Sequence, residues 1–291
     1  MSDTDPTRET TPFDRRVRRM KRDRAAAATE AHPLLRVLAD DLLDRLESVK
    51  RPFTSALDLG CGPGLLTREL RARGLEVVSA DAGKRFADRC DGIQCDEDRL
   101  PFAPGTFDLI VSAGTLDSVN DLPGALVQVR RALKPDGLFL GAMLGAGSLP
   151  QLRAAMRAAD DAEDRSASPH IHPQIDLRAA GDLLGRAGFA LPVVDAERTI
   201  LRYSSLDKLL TDLRNLGWGN MLSARSHRPI GRLGYAAAHA AFAAQADRDG
   251  RVSERIEIIH LSGWAPAPTQ PQPARRGSGS VSLEQALRRK N

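Results

Sequence analysis

Gly60, Gly62 and Gly64 fall within five positions of the stretch L-D-L-G-C-G-P-G-L-L, directly after an apolar run that contains Asp58. A turn so rich in glycine lets backbone N–H groups approach a ligand closely, and a helix starting there adds free donors and partial positive charge. Two phosphate-binding readings fail on spacing. The dinucleotide fingerprint G-x-G-x-x-G meets Leu65 where its third glycine should be, and no Gly-Lys-Ser/Thr follows for a P-loop. What remains is D-x-G-x-G-x-G, a carboxylate beside backbone donors. Asp81 closes the next apolar run, 21 residues after Gly60. An acid there can accept both hydroxyls of a ribose.

These residues need strands that end where they begin. F-T-S-A-L-D-L-G reads as a strand, L-L-T-R-E-L-R-A-R-G as a helix closed by Gly74, and L-E-V-V-S-A-D as a second strand. A short helix over G-K-R-F-A-D-R-C, a third strand at G-I-Q-C-D and a fourth at T-F-D-L-I-V-S-A-G follow. L-P-G-A-L-V-Q-V-R-R-A-L is a helix with Pro123 near its start, K-P-D-G a tight turn and L-F-L-G-A-M-L a fifth strand. This alternation predicts a parallel sheet covered on both faces, with a ligand crevice at the carboxyl ends of its strands. Upstream, Phe13 to about Lys50 reads as helix on the spacing of Leu34, Leu38, Leu42 and Leu46. Downstream, A-L-P-V-V-D-A-E-R-T-I-L-R-Y reads as strand, turn and strand. Two helices follow, the first capped by Ser205, and R-I-E-I-I-H-L-S-G-W-A is a final strand in an antiparallel hairpin at the sheet edge. The expected organisation is disorder over 1–12, a helical segment over 13–50, one domain over 51–264 with a helical insertion at about 204–250, and a Pro/Arg-rich linker with a short tail helix over 265–291.

Composition excludes several classes. Among 291 residues the formal charge is +4 and aromatics are 4%, too little clustered basic and stacking character for a nucleic-acid surface. No run of 18 apolar residues appears, so no transmembrane segment is expected. The amino terminus is acidic before it turns arginine-rich, unlike a secretory signal, and the chain reads as cytoplasmic. Cys61, Cys90 and Cys95 form no framework or zinc spacing, which fits a reducing compartment and no metal.

The motif from Asp58 to Gly64, Asp81, the segment D-E-D-R-L-P-F-A-P-G-T-F-D-L-I-V-S and the L-K-P-D-G turn resemble, in order, the signatures of the class I S-adenosylmethionine-dependent methyltransferases. The resemblance implies a Rossmann-like α/β fold with a mostly parallel seven-stranded sheet, and S-adenosylmethionine as cofactor. It implies that Asp58, Gly60, Cys61, Gly62 and Gly64 cradle the amino-acid end. Asp81 would meet the ribose and Asp96 the adenine, Ala82 and Glu97 would be further cofactor-binding residues, and Ser112 and Ala113 would lie beneath.

A closer likeness covers nearly the whole chain. F-D-R…R-D-R-A-A-A, V-N-D-L-P-G-A-L-V-Q-V-R-R-A-L-K-P-D-G, S-P-H-I, L-T-D-L-R-N-L-G-W-G-N and E-I-I-H-L-S-G-W-A-P…R-R-G-S-G-S-V-S-L resemble the complex I assembly factor family of arginine hydroxylases and its alphaproteobacterial relatives. That family is itself similar to the malonyl-carrier-protein O-methyltransferases of biotin synthesis. The resemblance implies a protein substrate, a complex I subunit that would bring the chain to the inner membrane, or else an acyl-carrier-linked one. A SAM-binding assembly chaperone without catalysis is a third alternative, and methylation and hydroxylation stay open. Where relatives carry L-H-W-V-N-D, this chain has Leu116-Asp117-Ser118-Val119-Asn120-Asp121, and Pro150 stands where a tyrosine is expected. Asp117 is the catalytic candidate, an acid able to orient a guanidinium through a bidentate contact. Asn120, Tyr203, Trp218 and Asn220 are candidates for the substrate pocket. His170 and His172 could ligate a metal, but no carboxylate accompanies them, and loop hydrogen bonding is the expected role.

Overall fold

The computed structural model describes residues 11–28 and 30–270. Seven strands form one sheet in the order β3-β2-β1-β4-β5-β7-β6: β1 (Ser55–Leu59), β2 (Glu76–Asp81), β3 (Ile93–Gln94), β4 (Phe107–Ala113), β5 (Leu133–Leu144), β6 (Ala190–Tyr203) and β7 (Val252–Trp264). The first five run parallel, and β7 and β6 complete the sheet antiparallel. The order reverses between β1 and β4, so their carboxyl ends open the crevice that such sheets offer to ligands.

Nine helices lie among the described residues: α1 (Arg15–Ala25), α2 (Pro33–Glu47), α3 (Leu65–Ala72), α4 (Lys84–Arg89), α5 (Leu122–Ala132), α6 (Pro150–Ala162), α7 (Leu177–Arg186), α8 (Leu206–Asn215) and α9 (Arg232–Ala243). One face of the sheet presents Leu109, Leu140, Ile256 and Ile258 to α2, α3, α6, α8 and α9. The other presents Leu57, Ile110, Phe139 and Ile259 to α5 and α7. Side chains alternate across the sheet along each strand, which is why Ile258 and Ile259 belong to different cores.

Three expectations are corrected in detail. The segment read as one helix from Phe13 to Lys50 is two. Pro33 cannot donate into a preceding helix and disfavours helical backbone before it. The chain restarts there, with His32 Nδ1 accepting from the Leu34 N–H at 3.1 Å. The polar middle of 190–203 is no turn. β6 runs through it, pairing Asp195 with His260 and Glu197 with Ile258, because an edge strand can leave charged side chains in solvent. The K-P-D-G turn lies inside β5, where Asp136 adopts φ of 62°. Of the stretch read as disordered, 1–10 lie outside the described residues, but the Pro12 carbonyl accepts from the Ser223 N–H at 2.9 Å. The tail helix also lies outside them. Helices α8 and α9 occupy the stretch between β6 and β7. Among the described residues no helix is long and apolar enough to cross a membrane.

Helix α2 buries Leu34, Leu38, Leu42 and Leu46 and leaves Val37 40% exposed. Leu42→Ala is expected to cost about 2–5 kcal/mol in chemical denaturation, and Val37→Ala less than about 0.5 kcal/mol. Equal costs would contradict this orientation of α2.

Candidate active site

The glycine turn is held to the end of β2: the Gly60 and Cys61 N–H groups donate to the Ala80 carbonyl at 2.7 and 3.0 Å. Gly60 has φ of 79°, and a Cβ there would meet Thr115 Oγ1 at 2.3 Å. Both its conformation and its closeness to the loop after β4 therefore require glycine. Gly64, in left-handed conformation, starts α3. Beneath the turn, Asp58 is 1% exposed, with Oδ2 accepting from Thr67 Oγ1 at 2.6 Å. Burial lifts its carboxyl to about 6, against the lowering effect of the Thr67 hydroxyl.

Asp81 is fully buried and accepts four hydrogen bonds. The Gly62 N–H donates to Oδ2 at 3.0 Å and the Gly83 N–H to Oδ1 at 2.7 Å. The other two come from Arg22 of α1, Nε to Oδ1 at 3.0 Å and Nη2 to Oδ2. Burial opposes the Arg22 charge, but Asp81 more than offsets this and holds its pKa above the ordinary value. The neighbouring acids are matched in the same way. Arg18 reaches Glu97 at 2.6 and 2.8 Å and donates from Nε to Ser118 Oγ at 3.1 Å. Arg19 donates to Asp96 at 2.5 Å, and Arg15 grips both oxygens of Asp98 at 2.6 Å. Residues 15, 18, 19 and 22 lie at i, i+3, i+4 and i+7, one stripe of a helix. Helix α1 thus lays four guanidinium groups on four carboxylates at the strand ends.

The sequence candidates divide between two cavities. Asp58, Gly60, Cys61, Gly62 and Ala113 surround a space of about 20 Å³ that Arg22 also walls. Asp81, Asp96 and Glu97 join it through the α1 arginines. Ala82 is buried beside Asp81, its carbonyl accepting from Gln94 Nε2 at 3.0 Å, and Ser112 Oγ lies 3.3 Å from Thr115 Oγ1.

A second cavity, of about 210 Å³, gathers Asp117, Trp218 and Asn220 with His170 and His172. Its wall is apolar, from Leu144, Leu149, Leu152, Met156 and Leu213. Trp218 stands between the two spaces, its Nε1 donating to the Gly114 carbonyl at 2.9 Å. Asp117 is 7% exposed, and its Oδ1 has no hydrogen-bond partner. Its Oδ2 lies 3.8 Å from His172 Nδ1. His172 Nε2 accepts from the Met221 N–H at 3.3 Å, which leaves the ring proton on Nδ1, facing Asp117. His170 instead meets Asp160 at 3.0 Å, so the two histidines are held by different partners.

Two substrate candidates are not brought to this cavity. Asn120 holds the chain before α1, its Oδ1 accepting from the Phe13 N–H at 2.7 Å and its Nδ2 donating to the Phe13 carbonyl at 3.1 Å. Tyr203 is buried at the end of β6 among Leu206 and Val252. Sequence reasoning missed the α1 arginines and Lys21, which also lines the second cavity. Burial and the charges of Arg225, Arg24 and Arg214 lower the Lys21 pKa. The signal was present in the helical spacing of the arginines and in the acidic run Asp96-Glu97-Asp98.

A model described as a methyltransferase domain matches residues 29–192. The mitochondrial arginine-hydroxylase NDUFAF5 of Danio rerio is 32% identical over 284 residues, covering 93% of this chain and 88% of that protein. The malonyl-[acyl-carrier protein] O-methyltransferase of Laribacter hongkongensis is 32% identical over 266 residues, covering 84% of this chain and 87% of that protein. Among solved structures, the YcgJ protein of Bacillus subtilis superposes with a TM-score of 0.54 at 16% identity, covering 78% of this chain and 99% of that one.

Two outcomes follow from the charges. The folded chain keeps the Asp58 proton up to about pH 6, whereas the unfolded chain loses it near 3.8. The stabilising contribution of that proton is therefore lost as pH rises from 4 to 6. In urea titrations Asp58→Asn should gain on the parent across this window, by up to about 3 kcal/mol. Arg22→Ala strands a buried carboxylate and should cost about 3–5 kcal/mol; a neutral result would mean that Asp81 finds another partner.

Proposed function

The chain belongs to the methyltransferase-domain family, and from that premise we propose that it binds S-adenosylmethionine at the glycine turn and modifies a protein arginine held in the neighbouring cavity. The residues present suit that cofactor in charge. Asp58 and Asp81 are buried acids beside backbone donors, and Arg22 already stands in for a cation there. In volume they suit it only after a change. A space of about 20 Å³ holds roughly one water, so the Arg22 side chain has to leave before a nucleoside enters. Gly62 and Gly83 would continue to orient Asp81, and Asp58 would face the ligand's positive charge. When bound, the cofactor supplies an activated methyl group on a sulfonium.

The observation that carries the substrate class is Asp117: a buried acid whose Oδ1 lacks a donor, at the end of an apolar cavity. An arginine fits it, with its aliphatic stem along Leu152, Met156 and Leu213 and its guanidinium donating to Oδ1. His172 acts as a positioning residue, facing Oδ2 and leaving Oδ1 free. Resemblance to the arginine hydroxylases favours a respiratory complex I subunit as the protein that carries this arginine, and a site of action on the cytoplasmic side of the inner membrane. One observation favours a malonyl-carrier substrate instead: Lys21 and Arg214 also line the cavity and would attract a carboxylate. Arg214 is exposed, however, whereas Asp117 is buried, and a carboxylate at the deep end would meet like charge.

Product mass separates the chemistries: one added methylene marks methyl transfer, one added oxygen hydroxylation, and label on a carrier-linked acid would overturn the arginine reading. Asp117→Asn should bind S-adenosylhomocysteine like the parent while losing about a hundredfold in kcat/KM for the arginine substrate. In calorimetry with S-adenosylhomocysteine, Arg22→Ala should bind about tenfold more tightly than the parent, since an internal competitor is gone. Weaker binding would place Arg22 within the ligand-bound site.

A further inference from the structure

His260 lies on β7 opposite Asp195 of β6, on the sheet face that α2 covers, and is 2% exposed. Neither of its ring nitrogens has a hydrogen-bond partner. Its Nε2 is 3.7 Å from Oδ2 of Asp41 on α2, and that oxygen is also buried and unpartnered. Glu197, two residues from Asp195 along β6, completes the group: one donor atom from each of the three lies within 4.8 Å of the others. Buried polar groups in native folds find partners. Asp41 Oδ2 and both His260 ring nitrogens are left without one, and the exposed Glu197 carboxylate lies beside them.

The geometry points to a site for one divalent transition-metal ion of the zinc class, bound by Asp41, Glu197 and His260. The gap between His260 and Asp41 exceeds a hydrogen bond. It is also shorter than the roughly 4.5 Å that separates two groups bridged by one water. Two ligands on a tetrahedral ion at bond lengths of about 2.1 Å stand about 3.4 Å apart, close to the 3.7 Å between His260 and Asp41. The donor set, one imidazole nitrogen and two carboxylates, suits borderline cations. The charges also balance. Arg45, the nearest cation, is already matched by Asp195 at 2.6 and 2.7 Å, so the Asp41 and Glu197 carboxylates are left for the ion. Glu197 is exposed, which gives the ion a way in, and a solvent water would complete four-coordination. The ion would fasten α2 to the β6–β7 pair. Helix α2 also supplies Leu35 and Ala39 to the wall of the small cavity below the glycine turn, so the ion would fix one side of that cavity.

The test uses the full chain stripped with chelator and titrated with Zn²⁺ in a calorimeter, with thermal unfolding measured in parallel. One equivalent should bind and raise the unfolding temperature. Glu197→Gln, an exposed change that leaves the core intact, and His260→Gln should each weaken binding at least tenfold. His239→Gln, at a separate His–Asp pair with Asp207, should leave it unchanged. Absence of a stoichiometric site overturns the proposal, as does a site that Glu197→Gln leaves intact.

Discussion

Asp81 and Arg22 share the most demanding environment in the molecule. A carboxylate removed from solvent is tolerated only when its charge is matched and its lone pairs are filled. Here two backbone N–H groups and one guanidinium do both. The demand extends beyond one pair. Asp58, Asp81, Asp96, Glu97 and Asp98 are all buried at the carboxyl ends of adjacent strands, and so much negative charge in a small volume calls for cations. Helix α1 supplies them. The stripe it turns to these acids consists of arginines where an ordinary surface helix would place leucines, so ion pairs are the main hold of this stripe on the domain. A cationic ligand of the kind proposed for the glycine turn would answer the same demand as Arg22.

Position gives α1 a second consequence. Lys21, the neighbour of Arg22 in sequence, lines the larger cavity. Phe13, just before the helix, sets its ring edge against His172 at 5.0 Å, behind Asp117. The two cavities therefore share α1 as a wall, with Trp218 and Gly114 as the other partition. Lys21 and Arg22 thus wall the two cavities as consecutive residues of one helix.

Much of this architecture was legible because it is local. The strand ends carrying Asp58, Asp81 and Ser112 follow from apolar runs closed by glycine or acid, and the Gly60 turn from its composition. Asp117 was legible as chemistry, an acid just past a strand end. What the sequence hid depends on pairing across distance. Nothing local says that Arg22 meets a residue 59 positions away, or that Asn120 is spent holding Phe13 at a separation of 107. β6 was misread because its polar middle imitates a turn, when edge position alone makes those charges affordable. Tyr203 illustrates the reverse error: an aromatic with chemical potential that packing assigned to the core.

The clamp is fixed at both ends of α1. Its amino-terminal end is fixed by several contacts of different kinds: the Phe13–Leu222 bridge, Asn120 on the Phe13 backbone, Asp14 capping the helix through the Val17 N–H, and Arg15 on Asp98. At the carboxyl-terminal end, Arg22 supplies the ion pair with Phe86 under its guanidinium at 5.0 Å, the Arg85 N–H donates to Asp23 at 2.8 Å, Arg89 donates to the Ala26 carbonyl at 2.5 Å, and Ala25 and Ala26 pack on Phe86. A ligand bearing one positive charge can replace one arginine; it cannot neutralise Asp96, Glu97 and Asp98 as well. The Arg22–Asp81 pair is therefore one of several contacts at its end of α1, while Arg15 and Arg18 hold the other acids.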